Sequence, residues 1–134
     1  MRYFQDDPST SVLVVEDDFL VRLTAVDVLE DAGFHVYEAD GAERALSMME
    51  ERRDIGAVFT DIDMPGSIDG LELARRVGRR WPNVRVIVTS GGAQRTGLDL
   101  PTGGIFIAKP YSASRIVSKL RAMLEETIQP IRAA

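Results

Sequence analysis

The chain has no cysteine, which excludes a disulfide framework and any thiolate metal site. No apolar run approaches the roughly 18 to 20 residues that span a membrane. The start, Met1-Arg2-Tyr3-Phe4-Gln5-Asp6-Asp7-Pro8, lacks the apolar core of a signal peptide. Positive charge is short: 16 Lys and Arg face 21 Asp and Glu, for a net charge of -5. Nucleic-acid binders usually carry a basic excess. Neither nucleic acid nor membrane is therefore expected as a partner, and the expected location is cytoplasmic. Lysine is scarcest, with Lys109 and Lys119 alone, so a lysine in a special place says more than usual.

What is present suits one domain. The chain has 134 residues, 45% of them hydrophobic, enough for a real core. Residues 1–10 read as a polar arm, 11–128 as the folded domain and 129–134 as a short tail, with no output domain. Val12-Leu13-Val14-Val15 is a continuous β-branched run, as expected of a strand buried on both faces. Val21, Ala25, Val28 and Ala32 then recur at helical spacing, and Gly33 provides a stop. Phe34 to Glu38 reads as a second strand and Ile55 to Thr60 as a third. Val84 to Val88 and Ile105 to Ala108 read as the fourth and fifth.

Between these strands the helices have start signals. Asp40-Gly41-Ala42-Glu43 and Asp69-Gly70-Leu71-Glu72 have capping-box spacing, and Ser112 can cap a last helix. In the second helix Met49 reads as core and Met48 as flank. Alternating strands and helices predict an α/β fold, a parallel sheet wound on both faces. The rhythm breaks at 90–104, where five glycines and Pro101 oppose a regular helix. The fourth helix is expected to be shortened or replaced by a Gly-rich loop.

Ligands of open parallel sheets sit at the carboxyl ends of the strands. Those ends carry Glu16-Asp17-Asp18, Asp61 with Asp63, Thr89-Ser90 and Lys109-Pro110. Clustered carboxylates repel unless a cation sits among them. Mg²⁺ suits one or two carboxylates plus a phosphate. A carboxylate can also form an acyl phosphate, with Lys109 and Thr89 placed to meet the phosphoryl oxygens.

Val14-Val15-Glu16-Asp17-Asp18, Thr60-Asp61-Ile62-Asp63-Met64-Pro65-Gly66, Val88-Thr89-Ser90 and Ala108-Lys109-Pro110-Tyr111 resemble the four signature stretches of response-regulator receiver domains. The resemblance covers about residues 11–127. It implies a flavodoxin-like five-stranded sheet of order 2-1-3-4-5, with Asp61 as phosphoacceptor. It further implies that Glu16 and Asp17 organise Mg²⁺, that Asp17 and Asp61 ligate it directly, and that the Asp63 backbone carbonyl is another ligand. Thr89 takes the place of the hydroxyl switch, Lys109 of the phosphate-contacting lysine and Phe106 of the aromatic switch. The Lys109-Pro110 peptide is expected to be cis. The implied partner is a sensor histidine kinase or a histidine phosphotransfer protein. Such a protein is no enzyme beyond catalysing its own phosphorylation and dephosphorylation.

The Met64–Gly70 loop is one residue longer than the commonest form in that family. Two other functions remain. Asp61-x-Asp63 has the form of a haloacid dehalogenase nucleophile pair, hence a Mg²⁺-dependent phosphohydrolase; that motif, however, follows a first strand rather than a third. A degenerate receiver would bind partners unphosphorylated, which the intact acceptor set disfavours.

Other polar features have plainer readings. Asp18 reads as a first-turn acid, Asp69 as an N-cap and His35 as structural. Arg75, Arg76, Arg79 and Arg80 read equally well as a solvated face or a patch. Phe19, Leu23 and Val26 form a second apolar stripe on the first helix, pointing away from the sheet and beginning beside Asp17. That stripe is a candidate partner surface, unless Tyr3 and Phe4 of the arm fold over it.

Overall fold

The computed structural model describes residues 11–91 and 99–128. Five strands, β1 (Ser11–Val15), β2 (Val36–Ala39), β3 (Ile55–Asp61), β4 (Arg85–Ser90) and β5 (Ile105–Ala108), alternate with four helices. The helices are α1 (Phe19–Asp31), α2 (Ala42–Glu51), α3 (Gly70–Arg80) and α4 (Ala113–Ile128). The sheet is parallel throughout, as the alternating pattern predicts, and its order is β2-β1-β3-β4-β5, as the resemblance implies.

Successive side chains of a strand point to opposite faces, and here both faces are dry. Val12 and Val14 join Ala57, Phe59, Ile87 and Ile107 beneath α1 and α4, against Leu29, Ile116, Leu120 and Leu124. Leu13 and Val15 join Val58, Val86 and Val88 beneath α2 and α3, against Ala45, Met49, Leu73 and Val77. Burial on both faces is why the central strands are unbroken apolar runs.

Helix starts are set by side chains. Asp18 is the N-cap of α1, its carboxylate accepting from Val21 N at 3.0 Å, one position earlier than a first-turn acid. Asp69 caps α3 by accepting from Glu72 N at 2.9 Å, and Ser112 accepts from Arg115 N at 3.1 Å. The box expected at Asp40 does not form. Gly41 is the N-cap of α2 and supplies no side-chain bond, because the helix begins one residue later than the spacing implies. The second strand likewise begins at Val36 rather than Phe34, since Leu29 O takes the Phe34 N–H to finish the α1 terminus. Met48 is core, not flank: with Met49 it is buried between α2 and the sheet.

The inward face of α1 differs from the expected one. It is Ala25, Val26 and Leu29, with Val21 exposed. At about 100° per residue, Val26 lies only about 60° around the helix from Leu29, so an arc centred on Leu29 takes it inside. Two apolar stripes on one helix leave the centre of burial undetermined by spacing. Tertiary packing selects Leu29.

The expected Gly-rich loop in place of a fourth helix falls largely on 92–98, outside the described residues. The flanking stretch 99–104 is not helical. There Pro101 lies against Gly78 of α3, where an added Cβ would come within 2.4 Å of the proline ring. The arm (1–10), with Tyr3 and Phe4, and the tail (129–134) also lie outside the described residues.

Candidate functional site

All the acidic and basic groups singled out at strand ends meet at one edge of the sheet. The register explains this: Val15 pairs with Thr60, Asp61 with Thr89 and Ser90 with Ala108, so β1, β3, β4 and β5 end together. Glu16 and Asp61 are buried and Asp17 is exposed. Each offers a carboxylate oxygen within 4.8 Å of the others.

Lys109 reaches into this group. Its Nζ stands 3.5 Å from Asp61 Oδ2 and 3.6 Å from Glu16 Oε1. The Lys109-Pro110 peptide is cis, as expected, and Lys109 N donates to Ser90 O at 3.0 Å, extending the β4–β5 pairing by one residue. Burial pushes the Glu16 carboxyl up, against a bond from Asp18 N–H; the Asp61 charge pushes it up further, and the net shift is upward. Burial alone would lower the Lys109 ammonium, but Asp61 and Glu16 outweigh it and hold the lysine above its ordinary value. One ammonium thus faces two buried carboxylates and a third exposed one. Three hard oxygen donors at this spacing, with excess negative charge, are what a small divalent cation such as Mg²⁺ requires.

Around them stand polar groups of β4. Thr89 is 3% exposed, and among the described residues its hydroxyl has no hydrogen-bond partner. It lines a small cavity with Glu16, Thr60, Asp61 and Tyr111. A buried hydroxyl without a partner costs free energy unless a ligand or water meets it. Ser90 Oγ donates to Asp63 Oδ2 at 2.5 Å, and Asp63 N donates to Asp61 Oδ1 at 3.3 Å. Phe106 is half-buried against the α2/α3 side of the core, one residue before Ile107, which pairs with Thr89.

The glycine at 70 is demanded by this site. A Cβ there would fall 1.9 Å from the Asp61 carbonyl oxygen, so the first turn of α3 presses on the backbone at the end of β3. Gly70 N donates to Ile62 O at 3.1 Å. In the sequence Gly70 reads only as part of a cap, because a close backbone approach leaves no local signal. Nor does any sequence signal single out Arg22, whose Nη1 donates to Glu16 O at 2.9 Å and whose Nε donates to Glu38 Oε1 at 2.9 Å.

The expected partner stripe is only partly there. Phe19 is 61% and Leu23 41% exposed, but Val26 is 6% exposed and belongs to the core. Leu20 and Val21 take its place on the surface, beside a shallow groove that runs to Lys109, Pro110 and Tyr111.

His35 stands at the opposite end of the sheet. Ser11 Oγ donates to Asp54 Oδ2 at 2.8 Å, which leaves His35 Nδ1 as the donor to Ser11 Oγ at 3.1 Å. Tyr37 donates to the same Asp54 oxygen at 2.8 Å. This network ties the starts of β1, β2 and β3 together. The arginines of α3 are paired with acids: Glu72 meets Arg75, Arg76 and Arg79, Glu50 meets Arg80, and Asp99 meets Arg75. Each arginine thus has an acidic partner, which favours a solvated face laced with ion pairs.

Known proteins are similar to this chain in sequence and fold. The response regulator receiver domain family matches residues 12–121. The sensor kinase CckA of Brucella abortus is 34% identical over 122 residues, 88% of this chain but 13% of the kinase. The response regulator receiver protein CpdR of the same organism is 32% identical over 116 residues, 84% of this chain and 95% of its own length. The chain therefore spans nearly all of one relative and a small part of the other. Among solved structures, the receiver domain of the hybrid histidine kinase CckA is 30% identical with a TM-score of 0.73, covering 85% of this chain and 98% of that one. A CheY-like receiver domain protein from Methanospirillum hungatei JF-1 has a TM-score of 0.82 at 24% identity, covering 90% and 98%, a likeness of fold.

Proposed function

This chain belongs to the response regulator receiver family, and from that premise we propose that it is a phosphoacceptor of a two-component relay, phosphorylated on Asp61. The observation that carries the reading is the setting of Asp61, a buried carboxylate 3.5 Å from Lys109 Nζ and within 4.8 Å of the Glu16 and Asp17 oxygens. A carboxylate oxygen of Asp61 attacks phosphorus in line. The new O–P bond forms as the P–N bond of a phosphohistidine breaks, its electron pair leaving with the ring nitrogen. Water later cleaves the acyl phosphate and regenerates Asp61. Lys109 neutralises phosphoryl oxygens, and Thr89 donates the hydrogen bond for which it has no partner among the described residues. Asp17, Asp61 and the Asp63 carbonyl would hold Mg²⁺, with Glu16 shaping the site. The bound ion would supply positive charge that offsets the carboxylates and the phosphoryl group.

The output is a change of shape. Thr89 moves toward the phosphoryl group, and Phe106 turns into the space beside it, a shift of an existing equilibrium. Phe carries no hydroxyl to be satisfied on the way in. The phosphoryl donor is a histidine kinase or phosphotransfer protein in the cytoplasm, docking on Phe19, Leu20 and Leu23 next to the acceptor. The protein turns over no substrate besides its own phosphoryl group.

The test is mass spectrometry after incubation with acetyl phosphate and Mg²⁺. The native chain should gain one phosphoryl group, and Asp61→Asn, which keeps the shape but not the nucleophile, should gain none. Undiminished labelling of Asp61→Asn would refute the assignment. Steady turnover of small phosphate esters would favour a phosphohydrolase instead.

A further inference from the structure

We propose that Arg22 is a positioning residue for metal binding, holding the peptide that carries Asp17; this rests on the Mg²⁺-dependent reading of the site given above. Asp17 is the exposed member of the acidic group, and among the described residues its carboxylate has no hydrogen bond or ion pair. Nothing on the side chain aims it. Its direction is therefore set by the backbone on which it stands.

That backbone is tied on three sides. Glu16 N donates to Ala39 O of β2 at 3.1 Å. The Glu16 carboxylate accepts from Asp18 N at 3.0 Å. The Glu16 carbonyl accepts from Arg22 Nη1 at 2.9 Å. The third tie acts directly on Asp17, because the Glu16 carbonyl and the Asp17 N–H belong to one rigid plane. Fixing the carbonyl direction fixes the Asp17 N–H and Cα with it.

Arg22 is well placed to hold it. Its side chain is only 15% exposed, low for an arginine. The guanidinium lies 5.5 Å from the Phe19 ring centre. Its Nε donates to Glu38 Oε1 at the end of β2, so one planar fork joins α1, β2 and the β1–α1 turn. A lysine cannot make both bonds in that fixed geometry. The Glu38 carboxylate has a second effect. A bare guanidinium near a cation site would repel the ion, and Glu38 offsets that charge.

Calorimetric titration with MgCl₂ tests this on the whole chain, with circular dichroism as the check of folding. Arg22→Met, which keeps the apolar stem, should weaken Mg²⁺ binding roughly tenfold, the usual loss when a group behind a metal ligand is removed. Arg22→Lys should fall between the two. Glu38→Gln should weaken binding a few-fold, and less so as salt rises. A wild-type chain that binds no Mg²⁺ would refute the metal reading itself. A wild-type chain that binds, beside folded Arg22→Met and Arg22→Lys that bind equally well, would overturn the role of Arg22 alone. Lower thermal stability without metal at unchanged affinity would overturn it too, since it makes Arg22 only an anchor of α1. If Arg22→Met does not fold, the affinity of Arg22→Lys decides.

Discussion

Asp54 shows how a single residue can be tuned far from any chemistry. Burial pushes its carboxyl up, but the hydroxyls of Ser11 and Tyr37 both donate to it, and the net shift is below the ordinary value of 3.8. A carboxyl held lower in the folded than in the unfolded chain adds stability above its unfolded value. That contribution drains away as pH falls through the folded one. Denaturant unfolding from pH 6 to 3 should therefore show an acid-dependent loss that is smaller in Asp54→Asn. Tyr37→Phe, which removes one of the two donors, should lie between. Equal slopes in all three would contradict the assignment. None of this network is legible in the sequence. His35 reads as structural from its isolation, but its partner Ser11 lies 24 residues away, and Asp54, which Ser11 joins to it, meets them only through strand register.

At the level of the element, α3 and α1 make opposite points. The start of α3 is legible as a cap at Asp69, yet its consequence for the site is not. Gly70→Ala should place a methyl group into the Asp61 carbonyl. Forced overpacking of this kind costs on the order of 1–3 kcal/mol. Both the unfolding midpoint and the rate of labelling by acetyl phosphate should drop. Gly41→Ala is the control: nothing lies within 4 Å of its added Cβ, its backbone is extended, and although alanine is a poorer N-cap the rate of labelling should not change. For α1 the apolar spacing is legible but its phase is not, because two stripes overlap and only the partner surface of α4 and the sheet can choose between them. The exposed remainder makes a separate prediction. Leu23→Asp should slow phosphotransfer from the cognate kinase and leave labelling by acetyl phosphate unchanged. Equal loss of both would point to a damaged helix, and loss of neither would place the partner elsewhere.

For the molecule as a whole, the site adds a term to stability. Folding brings Glu16, Asp17 and Asp61 together at the cost of their repulsion, and on the proposed reading an ion bound only by the folded state would offset it. Mg²⁺ at a hundred times its dissociation constant should stabilise the fold by about 2.7 kcal/mol. Thermal melts should then rise steadily with the logarithm of metal concentration, and much less so in Asp17→Asn. A flat response in a chain that still labels would contradict the metal assignment. The architecture and the membership of the site are legible because strand ends in a parallel sheet must gather at one edge, whatever the details between them. The order of the strands adds a further consequence. Synthesis delivers Asp61 early, but the Thr89 hydroxyl and the Lys109 ammonium come with β4 and β5, and β5 is both the last strand among the described residues and an outer one. A polypeptide interrupted before residue 105 thus carries Asp61 without the Lys109 ammonium that faces it, and on the proposed reading a fragment released by a stalled ribosome or a protease would stay mute.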